Sequence, residues 1–284
     1  MTIQRDATAP VVSYDSVAAG TVGSNGWYTS DVTANFTATD ALSGPATASA
    51  TATSSGEGNA VTVESPAFTD NAGNTTYLGA VTHTYMIDKS APSTPTFIGG
   101  PAEGSSYYFG NDPAAPTCAA SDAVSGLASC VVSGGGTAVG PHSNTATATD
   151  NAGNTSTATL NYSVLAWTLK GYYQPVDLSG VWNTVKGGST VPAKLQLKKA
   201  DGTVAQANTD PQWLTPLKGS ATSAPVDETV YSDTATSGAT YRWDSTAQQY
   251  IYNWSTKGTA TGYYYRVGVT LDDGQTYYVN IGLR

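Results

Sequence analysis

The heptapeptide TDNAGNT occurs twice in the chain, at Thr69–Thr75 and at Thr149–Thr155. It belongs to a longer correspondence. Displacing the chain by 82 (88 − 6) lays DATAP, Asp6–Pro10, over DKSAP, Asp88–Pro92, and Asp40 and Gly44 over Asp122 and Gly126. Displacing it by 80 (149 − 69) brings the heptapeptides together. Three anchors in the same order, with a two-residue deletion between the second and third, define a tandem repeat. A period of about 80 residues is too long for one turn of a solenoid and suits a small β-sandwich.

The residues between the anchors have strand character. In DVTANFTATD, Val32, Ala34, Phe36 and Ala38 fall on one face, with Thr33, Asn35 and Thr37 on the other. In TSTATLNYSV, Ala158, Leu160, Tyr162 and Val164 share a face. Thr, Val and Tyr fit a pleated surface, and clusters of Gly, Asn, Asp and Pro punctuate the runs. The heptapeptide reads as a tight turn, with Gly73 and Gly153 free to take positive φ and Asp70 and Asp150 bonding their own backbone. No stretch has helical periodicity.

The motifs DxxAP, TATDxxSG, FTDNAGNT and MIDKSAP resemble those of bacterial Ig-like repeats of secreted and surface proteins. The resemblance covers residues about 5–165 and implies two Ig-like β-sandwiches. Such modules serve as spacers, stalks, adhesin parts and enzyme appendages, so the resemblance implies a fold and no single activity.

Beyond Leu165 the composition changes. Five of six Trp and eleven of eighteen Tyr lie there, and no repeat anchor recurs. Strand patterns persist: Leu195 and Leu197 alternate with Gln196 and Lys198, and Asp272–Gly274 reads as a turn between two aromatic strands. The segments LKGYYQPVD, WNTVKGGSTVPAKLQL, QYIYNWST and LDDGQTYYVNIGL resemble the PxKF-type C-terminal domain of secreted bacterial proteins. Pro192 and Lys194 match, and Leu195 stands where that family usually has Phe. The expected organisation is all-β: an Ig-like repeat over 1–89, a second over 90–165, and a PxKF-like, aromatic-rich sandwich over 166–284. Short Pro-containing linkers favour a semi-rigid rod.

Charge narrows the partners. The chain carries −9 overall, and residues 1–165 hold 12 acids against the two bases Arg5 and Lys89. Without a basic patch, nucleic acid is not an expected partner. No apolar run approaches membrane-spanning length, and MTIQRDATAP has no apolar core of a signal peptide. Cys118 and Cys130, the two cysteines, lie in one short segment and are expected to form a disulfide in an oxidising compartment. Such a bond contributes on the order of 3 kcal/mol by chain entropy.

The chemistry expected is not catalytic. The two histidines, His83 and His142, sit in a strand and in a Gly/Pro-rich loop, with no nucleophile pattern. His/Cys metal spacing is absent. No cofactor is expected apart from Ca²⁺ as an open alternative. In an Ig-like sandwich the two anchor turns share one end, which gathers Asp40 with Asp70, Asn71 and Asn74. In the second repeat it gathers Asp122 with Asp150, Asn151 and Asn154, with Asp88 joining from the linker. Two readings are open for these residues: oxygen ligands for Ca²⁺, or Asx turns that satisfy only local backbone. Residues 5–165 lack the Lys and Gln that isopeptide and ester cross-links require in their interiors, whereas Lys194 leaves an isopeptide open in the third segment.

Trp213, Trp243, Trp254 and Tyr263 are candidates for stacking on sugar rings, with Trp213 and Trp243 expected to be the exposed pair. The opposing reading places them in the core, because Tyr250, Tyr252 and Trp254 alternate along one strand. The sequence thus points to a non-enzymatic structural or adhesive segment of an extracellular or surface bacterial protein. Its expected partners are a protein or glycan at a surface, or other copies of itself. The two alternatives are a filament subunit, with the N-terminal arm as a candidate docking strand, and a carbohydrate-binding module built on the third segment.

Overall fold

A computed structural model describes residues 5–111, 113–177, 183–199, 201–223 and 232–284. Every regular element of the described residues is a β-strand, as expected of the all-β class. The first residues of the N-terminal arm, Met1–Gln4, lie outside the described residues, as does Trp182 of the third segment.

The chain divides into two compact units. One comprises Met1–Pro101, Ala114–Gly135 and Ser143–Leu160; the other comprises Ala102–Pro113, Gly136–His142 and Asn161–Arg284. In the first unit, strands Val11–Ala19, Thr33–Thr39 and Ser49–Thr53 form one sheet in that order. Strands Trp27–Tyr28, Thr82–Ile87 and Gly58–Glu64 form another. These strands, with Val32 ahead of Thr33–Thr39 and Phe68 from the short pair Phe68–Thr69 and Thr75–Thr76, supply one core of Val32, Ala34, Phe36, Ala38, Val63, Phe68, Tyr85 and Ile87. Val32, Ala34 and Phe36 are fully buried, so the alternation read from the sequence is the packing face. His83 lies in strand Thr82–Ile87 and stacks on Tyr14 at 4.0 Å between ring centroids.

The same unit holds the repeated turn of the second module. Strand Leu127–Gly134 runs antiparallel to Gly140–Asp150, with Val131 opposite Thr147 and Cys130 opposite Ala148. Along the latter, Asn144, Ala146, Ala148 and Asp150 are buried in alternation. Thr96–Ile98 pairs with Thr117–Ala119, and the Cys118–Cys130 disulfide ties that pair to strand Leu127–Gly134. Its Cα atoms are 5.9 Å apart, ordinary spacing for a bridged pair.

In the second unit, strands Thr168–Tyr173, Thr190–Lys198, Gln249–Ser255 and Arg242–Asp244 lie in that order, with Val204–Ala205 added on Thr190–Lys198. Strands Asn183–Val185, Thr276–Leu283, Tyr263–Thr270 and Gln212–Ala221 make its other large sheet. The larger hydrophobic core forms here, from Leu195, Leu197, Tyr250, Val267, Ile281 and Leu283 among others. Leu195, at the position where the resembled family usually has Phe, is fully buried in it.

One topological feature recurs three times. A short early strand runs parallel to the end of a last strand: Trp27–Tyr28 beside Met86–Ile87, Ser105–Tyr108 beside Tyr162–Leu165, and Asn183–Val185 beside Ile281–Leu283. Every other pairing of named strands with a described register is antiparallel.

Candidate functional site: the paired acidic turns

Asp40 ends the run that follows strand Thr33–Thr39, where the chain must reverse. Its Oδ1 accepts hydrogen bonds from the backbone N–H groups of Leu42, Ser43 and Gly44 at 3.1, 2.8 and 2.9 Å. Asp122 does the same for Val124, Ser125 and Gly126 at 3.1, 3.0 and 2.9 Å. One carboxylate oxygen thus organises a whole turn, and Gly44 and Gly126 take the positive φ that closes it.

The heptapeptide behaves likewise. Asp70 Oδ1 accepts from the N–H of Ala72 and Asn74, both at 2.8 Å, and its Oδ2 accepts from Asn74 Nδ2 at 2.7 Å. Asp150 Oδ1 accepts from Gly153 and Asn154, and its Oδ2 from Asn154 Nδ2. The two turns are then joined: Asn71 Nδ2 donates to the carbonyls of Ser43 and Gly44, and Asn151 Nδ2 to those of Ser125 and Gly126. The repeat in sequence is therefore nearly a repeat of individual hydrogen bonds.

A third carboxylate enters each cluster. Asp6 Oδ2 accepts from Ser43 N–H, and Asp88 Oδ2 accepts from Ser125 N–H. Carboxylate oxygens of Asp6, Asp40 and Asp70 lie within 4.8 Å of one another, as do those of Asp88, Asp122 and Asp150. Asp88 and Asp150 are almost wholly buried. Among the described residues, these six are the ones that could hold a hard divalent cation, since carboxylate oxygens are what Ca²⁺ selects. Asn71 and Asn151 instead aim their amide nitrogens at carbonyls, and Asn74 and Asn154 aim theirs at Asp70 and Asp150. Asp6 was not among the expected residues, although it aligns with Asp88 in the repeat.

Hydrogen bonds stabilise the charged form where a shift is resolved. For Asp70, burial opposes ionisation, but donation from the Asn74 side chain and from the Asn74 and Ala72 backbone outweighs it, so its pKa is lowered. The pKa of Asp6 is lowered chiefly by the Ser43 side chain and the Thr8 backbone.

The second cluster sits at the joint between repeats. Asp88 Oδ1 accepts from Ser90 N–H, and Asn154 Nδ2 reaches the Asp88 carbonyl at 3.1 Å. From the other side, the loop before strand Trp27–Tyr28 docks on the heptapeptide. Ser24 N–H donates to Ala152 O at 2.8 Å, and Asn25 Nδ2 to Asn151 O at 3.0 Å. Gly23 permits this approach: a Cβ there would lie 2.3 Å from Ala152 O.

The aromatic candidates are placed differently from expectation. Trp213 and Trp254 are buried, and Trp213 stacks on Tyr252 at 4.1 Å. The expectation that Trp213 is exposed is corrected: strand Gln212–Ala221 turns that ring into the core, where it contributes buried area and cannot face a sugar. Trp243 is half-buried against Tyr250, and Tyr263 lies under the Lys218 ammonium at 3.5 Å. In the turn after strand Tyr263–Thr270, Asp272 accepts from Trp167 Nε1 and from the N–H of Asn208, while Asp273 accepts from Trp167 N–H. The sequence had marked this turn only as a hairpin.

No family model and no curated protein matches the chain. Among solved structures, it is similar to the Escherichia coli adhesin FdeC at 16% identity, covering 98% of each chain with a TM-score of 0.29. It is also similar to the extracellular cadherin domains 3–6 of protocadherin gamma B2, at 11% identity, covering 97% of this chain and 78% of that one, with a TM-score of 0.23.

Proposed function

We propose that the chain is a non-enzymatic structural or adhesive segment of an extracellular bacterial protein, in which β-modules hold a binding surface at a fixed separation. The modules proposed are 1–89, 90–165 and 166–284, supported by the parallel closure of an early strand on a last strand in each. The observation that carries the reading is the joint at Asp88. The linker carboxylate is fully buried and bonded to Ser90 and Ser125, Asn154 holds the Asp88 carbonyl, and Ser24 and Asn25 clamp the heptapeptide. A flexible string needs none of these bonds, whereas a spacer needs them all. The Cys118–Cys130 bond supports an oxidising location, where disulfides persist.

The reading is tested with spin labels at Thr51 and Thr157, exposed positions on either side of the joint. A single narrow distance distribution that persists to the melting transition is expected. A broad distribution would show a hinge and remove the spacer role. The filament alternative draws on strands Ser49–Thr53 and Gln212–Ala221, which end their sheets among the described residues, the latter bridged at Gln212 to Thr240. Concentration-dependent sedimentation would favour it.

A further inference from the structure

Asn25 and Gly26 form the one Asn-Gly pair in the chain. They fill the central positions of a tight turn, closed by Trp27 N–H donating to Ser24 O at 2.9 Å, with φ of 53° and 82°. Two positive φ values in succession are what Asn followed by Gly accepts at low cost. Both residues are exposed, and Gly26 N–H donates to no acceptor among the described residues. The same turn clamps the second repeat. Asn25 Nδ2 donates to Asn151 O at 3.0 Å, beside the bond from Ser24 N–H to Ala152 O.

An Asn-Gly pair holds both partners of a ring closure. The Gly26 nitrogen is a nucleophile placed next in the chain after the Asn25 amide carbon Cγ, and glycine has no Cβ to hinder its approach. Attack forms an N–Cγ bond and so a five-membered succinimide. The Cγ–Nδ2 bond breaks, and Nδ2 leaves as ammonia with the proton that the Gly26 nitrogen gives up. Water then adds to either ring carbonyl and returns a proton to the Gly26 nitrogen. The ring opens to aspartate or to isoaspartate, and water is the only co-reactant.

We infer that Asn25 is a site of spontaneous deamidation, and that the reaction unlocks the joint between the repeats. The consequence rests on the spacer reading; the chemistry does not. While the joint is closed, Asn151 O holds the Asn25 amide and the turn holds the Gly26 nitrogen, so the reaction proceeds from the opened loop. The product cannot restore the closed joint. Aspartate replaces the donating amide by an oxygen that faces the Asn151 carbonyl with no proton between them. Its charge arrives beside Asn151, the residue after Asp150, whose carboxylate already clusters with those of Asp88 and Asp122. Like charges oppose that approach. Isoaspartate instead adds a methylene to the main chain inside the turn. Opening permits the reaction and the product prevents closing, so the joint loosens in one direction with age.

The test stores the full chain at neutral and at mildly alkaline pH, with a parallel sample unfolded in urea. Peptide mapping reads the one-dalton gain at Asn25–Gly26, and residue-resolved hydrogen exchange reads the Ser24 amide. The converted fraction should grow with time, faster at the higher pH because the attacking nitrogen must lose its proton. It should grow faster still in Gly23→Ala, where the added Cβ would stand 2.3 Å from Ala152 O and hold the loop away. In Asn25→Asp the Ser24 amide should exchange about fivefold faster or more, the effect of one lost hydrogen bond. The Thr29 amide, bonded to Thr21 O within the first repeat, should keep its protection and so report that the repeat stays folded. An Asn25 that keeps its amide while the unfolded sample converts overturns the inference. So does full protection of Ser24 in Asn25→Asp, since the product would then leave the joint closed. A Ser24 amide unprotected in fresh protein, before any conversion, means there is no joint to unlock; that failure belongs to the spacer reading and is told apart by its timing.

Discussion

Gly23→Ala separates the joint from the modules it connects. Gly23 does not adopt a left-handed φ, so alanine meets no backbone penalty there, and the lost freedom of the unfolded chain would favour the variant slightly. The cost arises from the approach of the second repeat. The added Cβ would stand 2.3 Å from the Ala152 carbonyl oxygen and must retreat to at least 3.0 Å, while Thr29 Cγ2, at 2.9 Å, is a side-chain end that can yield. Retreat of the loop stretches the bonds from Ser24 N–H at 2.8 Å and Asn25 Nδ2 at 3.0 Å. Two such bonds contribute about 2 kcal/mol together. The Ser24 amide should then exchange with deuterium about 30-fold faster. The Thr29 amide, which bonds to Thr21 O inside the first repeat, should keep its protection. The assay is residue-resolved hydrogen exchange by NMR. Unchanged protection at Ser24 would mean that the contact between repeats does not hold in solution and that the proposed spacer has no fixed joint there.

Reduction of Cys118–Cys130, which closes a separation of 12 residues, should cost about 3 kcal/mol and lower the melting temperature of the first unit; calorimetry with and without reductant reads this directly. Burial pushes the Tyr172 phenol from 10.0 to about 12. The folded state then holds a proton that the unfolded chain releases. This contribution is complete below pH 10 and is lost as pH rises toward 12, on the order of 3 kcal/mol across that window. Alkaline melting curves of Tyr172→Phe, which cannot ionise, should show a correspondingly shallower loss. If the acidic turns are organised by backbone N–H groups alone, EGTA should leave the melting temperature unchanged; a fall on chelation, restored by Ca²⁺, would make Asp6, Asp40, Asp70 and their counterparts a ligand set.

What the sequence made legible follows the range of the interactions. The turns at Asp40, Asp70, Asp122 and Asp150 could be read because each carboxylate bonds N–H groups two to four residues ahead, so the whole interaction is contained in one short string. Alternation in Val32–Ala38 could be read because that strand has one buried face. In strand Gln249–Ser255 the alternation of Tyr250, Tyr252 and Trp254 did mark a core face, but Ile251 and Asn253 between them are buried too, so the second buried face was not legible from period-2 reasoning. Asp6 escaped because its role depends on Ser43, 37 residues away.

The two copies of TDNAGNT make the limit of local reading concrete. Both form the same turn with nearly the same internal bonds, and nothing inside the seven residues distinguishes them. Yet among the described residues only the second has a closing asparagine, Asn154, that also holds the carbonyl of a linker residue, and only there does a loop 126 residues earlier in the chain donate to the turn backbone. Asp88, at the entry to the second repeat, is fully buried, whereas Asp6, its counterpart in the first repeat, stays partly exposed. A turn that in isolation only reverses the chain becomes, when a neighbour is attached, half of a joint. The polar groups that close the turn leave backbone oxygens of Asn151 and Ala152 free to accept from outside, and the loop at Gly23–Asn25 supplies the donors. Duplicating a module with such turns therefore duplicates the backbone acceptors to which a neighbouring loop can donate.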